Sequence, residues 1–187
     1  FIRLAICTVG CPWCDTKNSW SEDIHSTTSV EELATNSAKA KAQGAAFVVI
    51  TGGEPLHHNL DDLCNAIRRR TKITKEESMP IHLETSGVNE LSGSPDWITL
   101  SPKKHAPPTD QILSTCQELK VIIHQKDDLL FAEKMAGKIR QNSSQKPLLF
   151  LQAGWNNKHG ENLAFEYVKN NPEWRLSMQT HKWLKIS

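Results

Sequence analysis

No stretch of this chain is apolar for long enough to cross a bilayer; its longest apolar runs are strand-length. No signal-peptide pattern, internal repeat, low-complexity run or linker is visible. An excess of one charge is also missing. Lys and Arg number 22 against 21 Asp and Glu, a formal net charge of +1. That balance argues against direct nucleic-acid binding, which is usually basic. A starting Met is lacking too. Phe1-Ile2-Arg3-Leu4-Ala5 reads as a strand already under way, so further residues are expected upstream. The 187 residues suffice for one domain, 1–187, with a sizeable core.

Cysteine is scarce, with five in the chain, yet three of them fall together at Cys7, Cys11 and Cys14. This C-x3-C-x2-C loop can turn three sulfurs toward one centre, helped by Gly10 and Pro12. Thiolates select zinc, Cu(I) or iron–sulfur clusters. A closed zinc site needs four protein ligands, and no fourth Cys or His lies nearby. Three thiolates on a four-iron cluster leave one iron open for a substrate or cofactor. The rival readings are a zinc knuckle or a redox-active thiol pair. Cys64 and Cys116 read as small buried hydrophobes. A three-thiolate site also implies a reducing cytoplasm.

Strand and helix patterns alternate along the rest of the chain. Strands are expected at Phe1–Ile6, Ala46–Thr51, Ile81–Thr85, Trp97–Leu100, Leu119–Ile123 and Leu148–Leu151, with a short last one at Trp174–Ser177. The run Ala46–Thr51 is apolar throughout, as a strand buried on both faces should be. Helices are expected from Ser29, whose side chain caps with Glu32, to Gly44, with Val30, Leu33, Ser37 and Ala40 inward. Others are expected near Leu60–Arg70, Asp110–Cys116, Asp127–Gln141 (Leu130, Phe131, Met135 and Ile139 apolar) and Glu161–Asn170. Lys17–Thr28 and Thr71–Met79 read as loops. The result is an α/β fold with a mainly parallel sheet. A closed eight-fold barrel typically needs about 250 residues, so a partial, open β/α barrel of about six parallel strands fits better.

Polar groups recur where these strands end, which is where parallel α/β folds gather their sites. They are the cysteine loop, Thr51-Gly52-Gly53-Glu54, Glu84-Thr85-Ser86, Ser101-Pro102-Lys103 and Gln152. The two glycines would let a ligand approach backbone groups. Glu54 suits a site, or a carboxylate at a helix start. Ser101-Pro102-Lys103, read alone, is first a turn. Thr16 suits either a hard-cation ligand or an Asp-Thr turn.

The cysteine spacing resembles the radical S-adenosylmethionine (SAM) superfamily. That resemblance implies a 4Fe-4S cluster on Cys7, Cys11 and Cys14, with SAM chelating the open iron and yielding a 5′-deoxyadenosyl radical. Further stretches resemble the 7-carboxy-7-deazaguanine synthase family of the queuosine and 7-deazapurine pathway. These are Phe1–Leu4, Cys14–Thr16, Ile50–Pro55, Glu84–Gly87, Ser101–Lys103, Leu151–Gln152 and, most specific, Arg175–Lys182. The implied reaction rearranges 6-carboxy-5,6,7,8-tetrahydropterin to 7-carboxy-7-deazaguanine with loss of ammonia.

Residue by residue, the resemblance implies SAM contacts from Trp13, Cys14, Asp15, Gly53, Glu54, Ser101, Pro102, Lys103 and the run Gln152, Ala153, Gly154, Trp155. It implies substrate contacts from Arg3, Thr51, His181 and the Ser187 carboxylate, and Mg2+ on Thr16. It further implies a homodimer and an electron donor such as flavodoxin. The family's Gln-Gly-Glu-Gly segment is absent here, and Ala153 stands where the family often has Pro. A glycyl-radical activase shares the cysteine loop but should not need Arg3 or the C-terminal stretch. A non-catalytic iron–sulfur or zinc module is the reading from another class.

Overall fold

The computed structural model describes residues 1–72, 77–142 and 146–184. Seven strands form one sheet in chain order, every neighbouring pair parallel. They are β1 (Ile2–Leu4), β2 (Val48–Gly52), β3 (Ile81–Thr85), β4 (Trp97–Leu100), β5 (Glu118–Ile123), β6 (Leu148–Ala153) and β7 (Trp174–Ser177). Among the described residues β1 and β7 do not pair, so the sheet stays open. The short last strand joins the other six as a full member.

Helices connect most of the strands, α1 (Val30–Ala42), α2 (Asp61–Thr71), α3 (Asp110–Thr115), α4 (Lys126–Asn142) and α5 (Lys158–Asn170), and α6 (Thr180–Trp183) follows β7. The Ser29 side chain accepts from the Glu32 N–H and starts α1, as the pattern predicted. Thr109 and Asn157 cap α3 and α5 in the same way. None of the described helices is long and apolar enough to cross a membrane.

Alternation along each strand sorts the residues into two faces. Ile50, Ile81, Leu83, Leu100, Leu119, Ile123 and Leu151 point outward and are fully buried against the helices. The opposite, concave face carries Arg3 and Thr51 in register, then Glu84 beside Thr99, Lys120 beside Phe150, and Gln152 beside Ser177. One face is a core and the other is a polar trough.

Three local expectations shift. In α1, Ser37 is buried and Leu33 packs against the core as expected, but Val30 is exposed and Ala34 takes its place on the inward face. In α4, Leu129 is buried and Leu130 is 69% exposed; an adjacent leucine pair does not reveal which member faces in. The polar segment after the cysteines contains a 3-10 turn at Lys17–Trp20. The middle of the Thr71–Met79 loop lies outside the described residues.

Candidate active site at the mouth of the open barrel

The first strand is shorter than its sequence suggests. It ends at Leu4, and Ile6 takes a left-handed backbone with φ of +74°. The side-chain alternation that would carry Arg3 to the same face as Cys7 therefore breaks before the cysteines. Arg3 still stands beside Thr51 across the sheet. It is exposed, and no described residue pairs with it.

The chain beyond Leu4 lies directly on Gly52 and Gly53. A Cβ on Gly52 would sit 2.1 Å from the Leu4 carbonyl oxygen, and one on Gly53 would sit 2.3 Å from that of Ile6. Their spare room is thus taken by the protein's own backbone rather than left for a ligand. The Gly53 and Glu54 N–H groups donate to Leu4 and Ile6 at 2.8 and 2.9 Å. These glycines clamp the start of the cysteine loop onto β2.

Glu54 also differs from its expected role. It is 1% exposed, and both carboxylate oxygens are fully engaged. Oε1 accepts from the Leu56 N–H (3.1 Å) and the Thr85 hydroxyl (2.5 Å). Oε2 accepts from the Ser86 N–H (2.8 Å) and the Ser86 hydroxyl (2.5 Å). Nothing on this side chain is left to hold a cofactor; it ties the loop after β2 to the loop after β3.

Cys7, Cys11 and Cys14 are free thiols on the loop after β1. Burial pushes the Cys7 thiol up, against backbone N–H groups of Val9 and Gly10 that favour the thiolate. Gly10, at φ of +68°, permits that turn. Burial pushes Cys11 up too, and the Lys103 cation opposes it. Burial in turn lowers Lys103, which the nearby Cys11 charge resists. Among the described residues no three Cys, His, Asp or Glu side chains converge on a point that one metal ion would fill. A four-iron cluster takes each thiolate on a different iron, so the set fits the cluster better than a lone zinc.

The Thr16 N–H donates to Cys14 Sγ at 3.4 Å, and the Thr16 hydroxyl lies 3.5 Å from that sulfur. The hydroxyl caps nothing in the turn that follows it. Lys103 folds back onto Ser101, donating to its carbonyl at 2.6 Å and its hydroxyl at 2.8 Å, with Pro102 buried between them. A cavity of about 290 Å³ opens beside it, lined by Trp13, Lys103, Ile122, His124 and Phe131. That is near the lower end of ordinary ligand sites, about 300–1,000 Å³. His124 fills the room above Gly154, where a Cβ would meet its ring at 2.2 Å.

Gln152 faces the trough and accepts from the Ser177 hydroxyl at 3.0 Å. Ala153 ends β6, and Trp155 is 46% exposed. The Lys182 ammonium lies 4.7 Å from the centre of the Trp155 ring and pairs with Asp15. Gln179 also donates to Asp15, at 2.9 Å. Burial would raise the Asp15 carboxyl, but the hydrogen bonds from Lys182 and Gln179 outweigh it and hold it below the usual carboxylate range. Asp15, expected at the cofactor, is occupied in tying the cysteine loop to α6. Only the backbone position of His181, within α6, is described. Ser187 lies outside the described residues.

One group in the trough, Lys120, escaped the sequence reading, which named Glu84 only among the polar strand ends. Glu84 accepts from the Thr51 hydroxyl at 3.1 Å and pairs with Lys120 at 3.3 Å. Lys120 interrupts the apolar run Leu119–Ile123 that the sequence marks as a strand, which is a usable signal in hindsight.

A seven-stranded open sheet with three free thiols after its first strand belongs to a known class. The radical SAM superfamily matches residues 1–117, and the chain is a member of it. Its similarity to named proteins is closer still. It is 57% identical to a 7-carboxy-7-deazaguanine synthase of Prochlorococcus marinus, covering 100% of this chain and 88% of the relative. It is 44% identical to that of Synechocystis (100% and 83%) and 31% to that of Escherichia coli (100% and 89%). The crystal structure of QueE from Escherichia coli superposes with a TM-score of 0.75 at 28% identity, over 95% of this chain and 83% of that one. The chain belongs to the 7-carboxy-7-deazaguanine synthase family.

Proposed function

We propose that this protein is a radical SAM lyase that forms 7-carboxy-7-deazaguanine from 6-carboxy-5,6,7,8-tetrahydropterin, with loss of ammonia, in queuosine and 7-deazapurine biosynthesis. The observation that carries the reading is the three-thiol loop set over a polar trough in a chain of this family. When bound, the cluster and SAM supply the radical that starts the rearrangement. The protein's own residues bind, orient and exclude water. Cys7, Cys11 and Cys14 hold the cluster. The cavity lined by Trp13, Lys103 and His124 receives the adenosyl end of SAM. Ser101, Pro102 and Gln152 complete the cofactor side.

Arg3 and Thr51, neighbours across β1 and β2, meet the pterin. An exposed guanidinium that no described residue pairs with suits a carboxylate that arrives with the substrate. His181 and Ser187 are the other proposed substrate contacts. Thr16 offers its hydroxyl to Mg2+. The enzyme acts in the cytoplasm as a homodimer, is reduced by a donor such as flavodoxin, and uses 1–187 as its radical SAM core. The test is an anaerobic assay with the carboxytetrahydropterin, SAM and a chemical reductant, followed by mass detection of the deazaguanine. SAM cleavage without deazaguanine would retain the class and overturn the substrate.

A further inference from the structure

Imidazoles from other segments brace the cysteine loop. His58 donates through Nε2 to the Ala5 carbonyl at 2.8 Å. His57 Nε2 accepts from the Thr8 N–H at 3.2 Å, and its Nδ1 donates to Asn89 at 2.9 Å. His105 reaches the loop from after β4, with Nε2 2.9 Å from the Val9 carbonyl oxygen. The same nitrogen lies 3.9 Å from Cys11 Sγ. A carbonyl only accepts, so Nε2 of His105 carries the hydrogen. The edge-on contact with the Trp13 ring, 5.8 Å between centroids at 80°, fixes the plane of the imidazole. On the cysteine loop His57 and His58 touch backbone or the Thr8 hydroxyl, whereas His105 alone of the three also reaches a sulfur.

We propose that His105 is a positioning residue whose shared N–H tunes the reduction potential of the cluster held by Cys11. The proposal rests on the radical SAM reading. Reduction places extra negative charge on the cluster and its sulfurs. The His105 N–H donates to the Val9 carbonyl at 2.9 Å and lies 3.9 Å from Cys11 Sγ, close enough for its dipole to stabilise the reduced form more than the oxidised one and so raise the potential.

The test uses reconstituted protein without SAM, poised with a low-potential viologen and read by EPR. At one fixed potential, His105→Phe should lower the ratio of reduced to oxidised cluster about tenfold, a shift of about 59 mV for one electron. His105→Gln, which keeps a side-chain N–H, should stay within about threefold of the parent. The parent itself, labelled with 15N-histidine, should show one imidazole nitrogen weakly coupled to the reduced cluster. A His105→Phe protein with full iron and an unchanged ratio overturns the proposal. If that variant holds no iron, the labelled parent decides: a missing nitrogen coupling overturns it, and a coupling lost in His105→Gln supports it. A parent that binds no four-iron cluster defeats the functional reading, and this inference with it.

Discussion

Replacing Glu54 by Gln tests the most heavily bonded side chain near the site. Its two oxygens take four donors, two backbone N–H groups and two hydroxyls. Gln keeps the shape but turns one oxygen into a donor. A hydroxyl facing that NH2 can rotate to accept, but a backbone N–H cannot. Whichever way the amide settles, either Leu56 or Ser86 is left with an unsatisfied N–H in a site 1% exposed. An unmade buried bond costs about 1–3 kcal/mol, and bonds to a charged acceptor are worth about 1.5–3 kcal/mol each. Glu54→Gln should therefore cost about 3 kcal/mol, and Glu54→Ala more, about 5 kcal/mol. The total stability of a domain is about 5–15 kcal/mol. Urea unfolding of the iron-free protein measures the change as a lower midpoint with an unchanged slope. In thermal unfolding, about 3 kcal/mol corresponds to roughly 6–12 °C at this size. A loss under about 1 kcal/mol in Glu54→Gln would refute the assignment of Glu54 as the tie between the β2 and β3 loops.

Other predictions concern the ligands, the substrate and the strap. Cys7→Ala, Cys11→Ala or Cys14→Ala should abolish SAM cleavage, whereas Cys64→Ala and Cys116→Ala should keep full iron content. Cys116, pushed up to about 11 by burial, should also be the slowest thiol to alkylate at pH 8 in the folded apoprotein. Thr16→Ala should blunt any stimulation of turnover by Mg2+ and leave iron unchanged; equal Mg2+ dependence would count against the site. Arg3→Ala should lower kcat/KM by about 1–2 kcal/mol, less than a buried pair because the position is exposed, while SAM cleavage without product continues. The Asp15 carboxyl is depressed in the folded state, so its stabilising contribution holds above the unfolded carboxylate range. It fades as pH falls through the lower folded value. Protease protection of the C-terminal stretch should accordingly drop below about pH 4, and Lys182→Met should remove that pH step.

Strand positions were legible because burial on one face leaves a pattern. Ile81–Thr85, Trp97–Leu100 and Trp174–Ser177 fall where alternation and apolar runs put them. The end of β1 was not legible. Leu4, Ala5 and Ile6 continue the apolar pattern, yet Ile6 adopts a conformation unusual for a β-branched residue. Long-range bonds from Gly53 and Glu54 accompany it, and a local pattern cannot record them. The same holds for Asp15. Its partners Gln179 and Lys182 lie more than 160 positions away, so the sequence showed a carboxylate beside a cysteine and nothing of what holds it.

The glycine pair shows how a motif can be read correctly and explained wrongly. Gly52-Gly53 before Glu54 reads as part of a site, and the pair lies against the backbone that leads into the cysteine loop. But a glycine signals only that something comes close to the backbone. It does not say whether that something is a ligand or the chain itself. Here it is the chain, at 2.1 Å and 2.3 Å from the missing Cβ atoms. Gly53→Ala should therefore act first on the path of Leu4–Ile6, and so on the placement of Cys7. The loss would appear as poorer iron loading before any change in SAM affinity. If Gly53→Ala loaded iron normally and lost only SAM binding, the close approach that matters would be the ligand's after all.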